Sequence, residues 1–167
     1  VDSGIGAESG VLDGGQALLN PRLAFVPAQD RFERRTEALD EVARTLAAEG
    51  RLSPWRAERY AVGPGFGAGP WFLLERAAAR FFGIRTYAAH VNGLAGPPND
   101  PALWFARRSP QKAIDPGQLD NLVGGGIATG QTVAATVLKE AAEEAGIPAV
   151  LARRATATGA VHIFRQP

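Results

Sequence analysis

Hydrophobic positions recur along this 167-residue chain with two different periods. Between Thr36 and Gly50, the residues Leu39, Val42, Ala43, Leu46 and Ala47 fall three and four apart, which places apolar side chains on one helical face. Thr36 is a suitable N-cap and Gly50 a suitable stop. Phe72, Leu73, Arg76, Ala77, Arg80 and Phe81 repeat the helical spacing before Gly83. Between these helices, Trp55 to Val62 reads as a turn and short strand, and GPGFGAGP, Gly63 to Pro70, as a loop. The first thirty residues show no sustained period and predict loops, with short strands around Val11 and Leu23 to Val26. Residues 1–83 are therefore expected to form a small α+β unit.

Beyond Gly83 the pattern shifts to strands. IRTYAAHVNGL, Ile84 to Leu94, and LWFARRS, Leu103 to Ser109, are rich in β-branched and aromatic residues and flank the turn GPPNDPA, which predicts a hairpin. A loop carrying Lys112 leads to GGGIATGQTVAATVLKEAAEEAGI, Gly124 to Ile147. Its second half predicts a helix over Thr132 to Ala145, stopped by Gly146 with Pro148 just beyond. The tail from Ala149 fits one strand and the beginning of another. Residues 84–167 read as a second domain.

Composition narrows the function. At 46% hydrophobic and 21% charged the chain is an ordinary globular sequence, and 18 basic against 17 acidic residues give no bulk attraction to nucleic acid or to an anionic membrane. No apolar run is long enough for a membrane-spanning helix. The absence of cysteine removes disulfides, thiolate metal sites and cysteine nucleophiles, and is compatible with a cytoplasmic location. An anionic ligand must therefore be caught locally. The chain begins at Val1 and has no methionine, the pattern of a processed or trimmed product.

Local capture points to the helix at 132–145. Glu140, Glu143 and Glu144 stand at i, i+3 and i+4, so their carboxylates share one face and repel, at a cost of roughly 0.2–0.5 kcal/mol per pair. Such a cluster is either a solvated surface or a seat for a cation. Mg²⁺, or Mn²⁺, takes oxygen ligands of this kind together with substrate phosphates. Lys139 could orient the carboxylates or meet a phosphate, and the upstream glycines allow close backbone approach.

Gly125, Lys139-Glu140, Glu143-Glu144 and Gly146-Ile147 fall on the pattern G-x5-E-x7-R-E-U-x-E-E-x-G-U, with U aliphatic. This resembles the signature of the Nudix hydrolase family over 23 consecutive positions. Gln131 stands where that family usually has a glutamate tying loop to helix, Lys139 replaces its arginine, and Ala141 is a small version of its aliphatic residue. The resemblance implies an α+β fold, a mixed β-sheet between helices. It also implies Mg²⁺ or Mn²⁺ held by Glu140, Glu143, Glu144 and the Gly124 carbonyl, and water attack on a diphosphate linkage. Further strands, a last helix and another metal-binding acid are expected beyond Pro167, unless a second copy in a homodimer completes the sheet.

Around that signature, HVNGL, LWFARRSPQKAIDPGQLDNLVGGG and VLKEAAEEAGIP resemble the Nudix branch related to the N-terminal half of fungal thiamine pyrophosphokinases. This branch carries a helical N-terminal extension, as ERAAARFFGIRTYAAHVNG would be here. The resemblance implies a small-molecule substrate, thiamine diphosphate or an oxidised derivative. Arg107, Arg108 and Lys112 are then candidate diphosphate contacts, against the alternative that the arginines pair with the acidic helix. Trp104 is a candidate stacking partner, against the heavier expectation that it is core. RRSPQK also resembles isopentenyl diphosphate isomerase, whose catalytic cysteine has no counterpart here. A non-catalytic Nudix-fold module binding a diphosphate metabolite stays open through Gln131. His90 is expected to be a structural hydrogen-bonding residue.

Overall fold

The computed structural model describes residues 31–112 and 115–163 together with the strands β1 (Ala7–Glu8) and β2 (Arg22–Leu23), which pair antiparallel. The expected strand around Val11 lies outside the described residues. Two compact units divide at Thr86 and Tyr87.

In the first unit, α1 (Phe32–Ala48) buries Thr36, Leu39, Ala43 and Leu46, the stripe its spacing predicts. It begins five residues earlier than expected, and Thr36 is not its cap. The Thr36 hydroxyl instead donates to Phe32 O at 2.9 Å and accepts from Leu73 N at 3.1 Å, which ties the helix to the neighbouring hairpin. Gly50 stops the helix in the left-handed region at φ 70°, with Arg51 N bonding Leu46 O and Gly50 N bonding Ala47 O.

The expected helix over Phe72 to Phe81 is only half a helix. β3 (Arg59–Val62) pairs antiparallel with β4 (Phe72–Glu75), and α2 spans just Arg76–Ala79. Tyr60 and Val62 alternate with exposed residues on β3, so the sheet face offers Phe72 and Leu74 burial at period two, and this outweighs their helical spacing. Glu75 makes the switch: its buried carboxylate accepts from Arg56 N at 2.9 Å and from Ala77 N at 3.3 Å, capping α2. Leu39, Ala43, Tyr60, Val62, Phe72, Leu74, Ala78 and Ala79 form this unit's core.

In the second unit, β5 (Ala88–Val91), β6 (Gly93–Ala95), β7 (Ala102–Trp104), β8 (Ala106–Arg107), β9 (Leu119–Asp120) and β10 (Val123–Gly126) pair as β5–β10, β6–β7 and β8–β9. All three pairs are antiparallel, and the β6–β7 hairpin is the one the two strand-like runs predict. α3 (Val133–Ala145) packs on β10 and β5 over a small core of Val123, Ala141 and Ala152, flanked by Val91, Leu122, Leu138 and Ile147. Among the described residues of the tail no strand forms where one was expected. Pro148 N-caps α4 (Ala149–Ala152), its carbonyl accepting from Leu151 N and Ala152 N, and Ala152 is buried against α3's side of the core. Among the described residues no helix is long and apolar enough to cross a membrane.

Candidate active site

The ends of α3 are set by local chemistry. Thr132 caps its N-terminus by accepting from Ala135 N at 3.1 Å, and Gly146 closes it at φ 61°, with Ile147 N bonding Ala141 O. Between these stops, the helix lays its acidic turn over the glycines of β10.

Glycine at 125 leaves room for the Glu140 side chain. A Cβ there would lie 2.3 Å from both Cγ and Cδ of Glu140 and 2.5 Å from its Oε1. The Glu140 side chain therefore rests directly on the strand backbone, 12% exposed. One residue earlier, the Gly124 N–H donates to Glu144 Oε2 at 3.1 Å. In an extended strand a residue's N–H and C=O leave the same edge, so the Gly124 carbonyl leaves β10 on Glu144's side. Two of the three predicted acids and the predicted carbonyl are thus brought together by two backbone positions.

Cationic side chains meet the same surface. Lys139 Nζ stands 3.4 Å from Glu140 Oε1 and 3.7 Å from Glu143 Oε2, and Lys112 Nζ stands 3.8 Å from Glu144 Oε1. Glu143 is the outermost acid. Among the described residues no three acidic or histidine side chains converge as a ready-made metal cage. The donor set still fits a hard divalent cation: three carboxylates and one backbone carbonyl are all oxygen ligands, and Mg²⁺ keeps several waters. Glu140, Glu144 and the Gly124 carbonyl would hold it, with Glu143 adding charge.

The predicted phosphate contacts divide. Arg107 donates to Gly117 O at 2.8 Å, and Arg108 pairs with Asp120 Oδ2 at 2.5 Å, so each bridges β8 to the Gly117–Asp120 stretch. Lys112 is placed against the acids of α3. Burial raises the Asp120 pKa. The Arg108 hydrogen bond, the Asn121 N–H and the charges of Arg108 and His90 outweigh that and hold the carboxyl below its ordinary 3.8. Gln131 is exposed in the turn before α3, its N–H bonded to Ala128 O, and its side chain makes no tie to the helix among the described residues.

Two sequence expectations need correction. Trp104, weighted toward the core, is 58% exposed on β7 opposite Gly93, with exposed Leu103 and Phe105 beside it. Among the described residues of this unit the β6–β7 strands are short and make no extensive contact with a helix, so alternation has no interior on which to act. His90 is likewise exposed, with no side-chain hydrogen bond among the described residues, its ring standing where a Cβ on Gly124 would lie 2.8 Å from Nδ1. Two residues escaped the sequence reading: Asp120, hidden in a loop-like run, and Thr136, a buried hydroxyl one turn before Glu140. The signal for Thr136 was a polar residue four positions before Glu140 on the same face of α3.

Comparison with known proteins supplies the remaining observation. Residues 87–166 match the NUDIX domain family, and residues 15–86 match the domain of unknown function DUF4743. The chain belongs to the Nudix hydrolase family. It is 43% identical over 148 residues to Nudix hydrolase 24, chloroplastic, of Arabidopsis thaliana, covering 89% of this chain and 39% of that protein. It is 43% identical over 129 residues to Nudix hydrolase 20, chloroplastic, of the same plant, covering 77% and 34%. An uncharacterized protein of Saccharomyces cerevisiae is 38% identical over 136 residues, covering 78% and 39%. The chain therefore spans about two fifths or less of the length of these relatives. The Nudix match begins at Tyr87, where the second compact unit begins, so the acids of α3 and the glycines of β10 both lie in the Nudix domain.

Proposed function

We propose that this protein is a divalent-metal-dependent Nudix pyrophosphohydrolase that cleaves the diphosphate of thiamine diphosphate, or of an oxidised derivative, to the monophosphate and phosphate. The observation that carries the reading is the seating of Glu140 on Gly125 beside a Glu144 tied to Gly124 N, which presents carboxylate and carbonyl oxygens on one edge of β10. A bound Mg²⁺ or Mn²⁺ supplies charge neutralisation at the phosphoryl oxygens and a lower pKa for water.

The chain's own residues do the positioning. Gly125 sets the depth of Glu140, the Gly124 N–H orients Glu144, and Lys139 and Lys112 are placed to exchange their carboxylate partners for phosphate oxygens. Water oxygen bonds to the terminal phosphorus, the bridging P–O bond breaks, and the monophosphate leaves. The thiamine reading rests on the resemblance around HVNGL and LWFARRSPQK, and the exposed Trp104 supports it as a face on which a heterocycle can stack. In the same reading Arg107 and Arg108 remain candidate diphosphate contacts, the partner is a small molecule rather than nucleic acid or membrane, and the enzyme works in the cytoplasm. A homodimer belongs to this proposal as well.

The test is Mg²⁺-dependent phosphate release from thiamine diphosphate by the wild type and by Glu143→Gln and Glu144→Gln. Loss of turnover in both variants is expected, and full activity in both refutes the assignment. The untied, uncharged Gln131 favours a second reading, a non-catalytic module for diphosphate metabolites. Saturable diphosphate binding without metal-dependent hydrolysis would select it.

A further inference from the structure

Among the buried side-chain oxygens and nitrogens of the described residues, the Thr136 hydroxyl stands without a hydrogen-bond partner. Thr136 is 2% exposed, so water does not reach it from the surface. Threonines inside helices ordinarily satisfy the hydroxyl by donating to the carbonyl four residues back. Both comparable residues of α1 do so: Thr36 bonds Phe32 O at 2.9 Å and Thr45 bonds Glu41 O at 3.1 Å. In α3 the Thr132 carbonyl takes the Thr136 N–H at 3.0 Å, and the Thr136 hydroxyl makes no such bond. An orphaned buried hydroxyl is costly and calls for an explanation.

Position supplies one. Residues four apart on a helix lie one above the other on the same face, and Thr136 is four residues before Glu140. That face is the one applied to β10 and β5, where the Glu140 carboxylate rests on Gly125 with Oε1 turned to Lys139. A carboxylate released from Lys139 has a donor waiting one turn below it.

We propose that Thr136 is the positioning residue for Glu140: its hydroxyl donates to the Glu140 carboxylate once a divalent cation displaces Lys139, fixing which oxygen faces the cation. This rests on the metal-dependent reading above. Removing a hydrogen bond behind a metal ligand typically weakens metal binding about 10- to 100-fold. In the metal-free protein the same change relieves an unsatisfied group, so affinity and stability move in opposite directions.

The experiment is calorimetric Mg²⁺ titration, without substrate, of the wild type, Thr136→Val and Thr136→Ser, each with a metal-free melting temperature. Thr136→Val is expected to bind Mg²⁺ about tenfold or more weakly while melting no lower than the wild type, and Thr136→Ser to keep near wild-type affinity. Undiminished affinity in Thr136→Val, or equal loss in Thr136→Ser, overturns the inference while leaving the metal site standing. Should valine prevent folding, Thr136→Ser against Thr136→Ala gives the same hydroxyl comparison. A wild type that binds no Mg²⁺ overturns the metal reading itself and this inference with it.

Discussion

Replacing Gly125 by alanine tests the proposed site at the point where the backbone meets Glu140. The added Cβ would sit 2.3 Å from Glu140 Cγ and Cδ, whereas ordinary contact begins near 3.4 Å, so the carboxyl arm must withdraw by more than an ångström. The arm is a flexible side chain, and leaving its rotamer costs on the order of 0.5–1.5 kcal/mol. Gly125 is not in the left-handed region, so alanine strains no backbone, and the reduced freedom of the unfolded chain returns about 0.4–1 kcal/mol. Stability should therefore change by about 1 kcal/mol or less. Catalysis should not be spared, because misplacing a catalytic group by about 1 Å costs on the order of 100-fold. Phosphate release from thiamine diphosphate with Mg²⁺ and a thermal melt measure the two quantities on one preparation. A double-mutant cycle then isolates the cause: in a Glu140→Ala background, Gly125→Ala should add nothing. A Gly125→Ala protein with wild-type turnover, or one whose loss persists undiminished without Glu140, refutes the claim that this glycine acts by seating that acid.

Further expectations concern the aromatic face and the Arg108–Asp120 pair. Trp104→Ala should raise KM for thiamine diphosphate, since stacking on an aromatic is worth about 1–3 kcal/mol, roughly 5- to 150-fold, and should leave the melting temperature unchanged because Trp104 is largely exposed. An unchanged KM removes Trp104 from the site. Asp120 has a folded-state pKa below its ordinary 3.8, so its stabilisation is present above that pH and is lost as pH falls through the folded value. Melting Asp120→Asn beside the wild type should show a stability deficit that is constant above about pH 5 and shrinks in acid. A deficit independent of pH would assign the effect to packing.

The contrast between α1, α3 and β4 shows what the sequence can convey. Leu39, Ala43 and Leu46 fall on one stripe because that helix has one apolar neighbour and a glycine stop, so period and boundary agree. α3 was equally legible, and its acids stand out because like charges at i, i+3 and i+4 conflict with helix stability. Phe72 to Glu75 satisfies both periods, and only the presence of β3 decides between them. Trp104 was misplaced for the same reason, since burial depends on what covers a strand and not on the strand. The distances from Glu140 to Gly125 and from Glu144 to Gly124 N join residues 15 and 20 positions apart. The spacing of the acids points to that contact, but its geometry appears only in the fold.

Three features that oppose stability in the Nudix domain gather at one place. Three glutamates crowd one turn of α3, a glycine run replaces side chains that would strengthen β10, and the Thr136 hydroxyl is buried without a partner. Local costs that gather at one site point to selection for something other than stability. A bound cation would relieve the repulsion, and a reoriented Glu140 would satisfy the hydroxyl, so both costs are lifted by the same ligand. Metal binding should therefore raise the melting temperature by mass action in proportion to the logarithm of Mg²⁺ concentration above its Kd. The rise should be smaller in Glu140→Gln, where the innermost carboxylate charge is gone. If the two proteins gain equally, the acids of α3 are a solvated surface and the coincidence of costs has another origin.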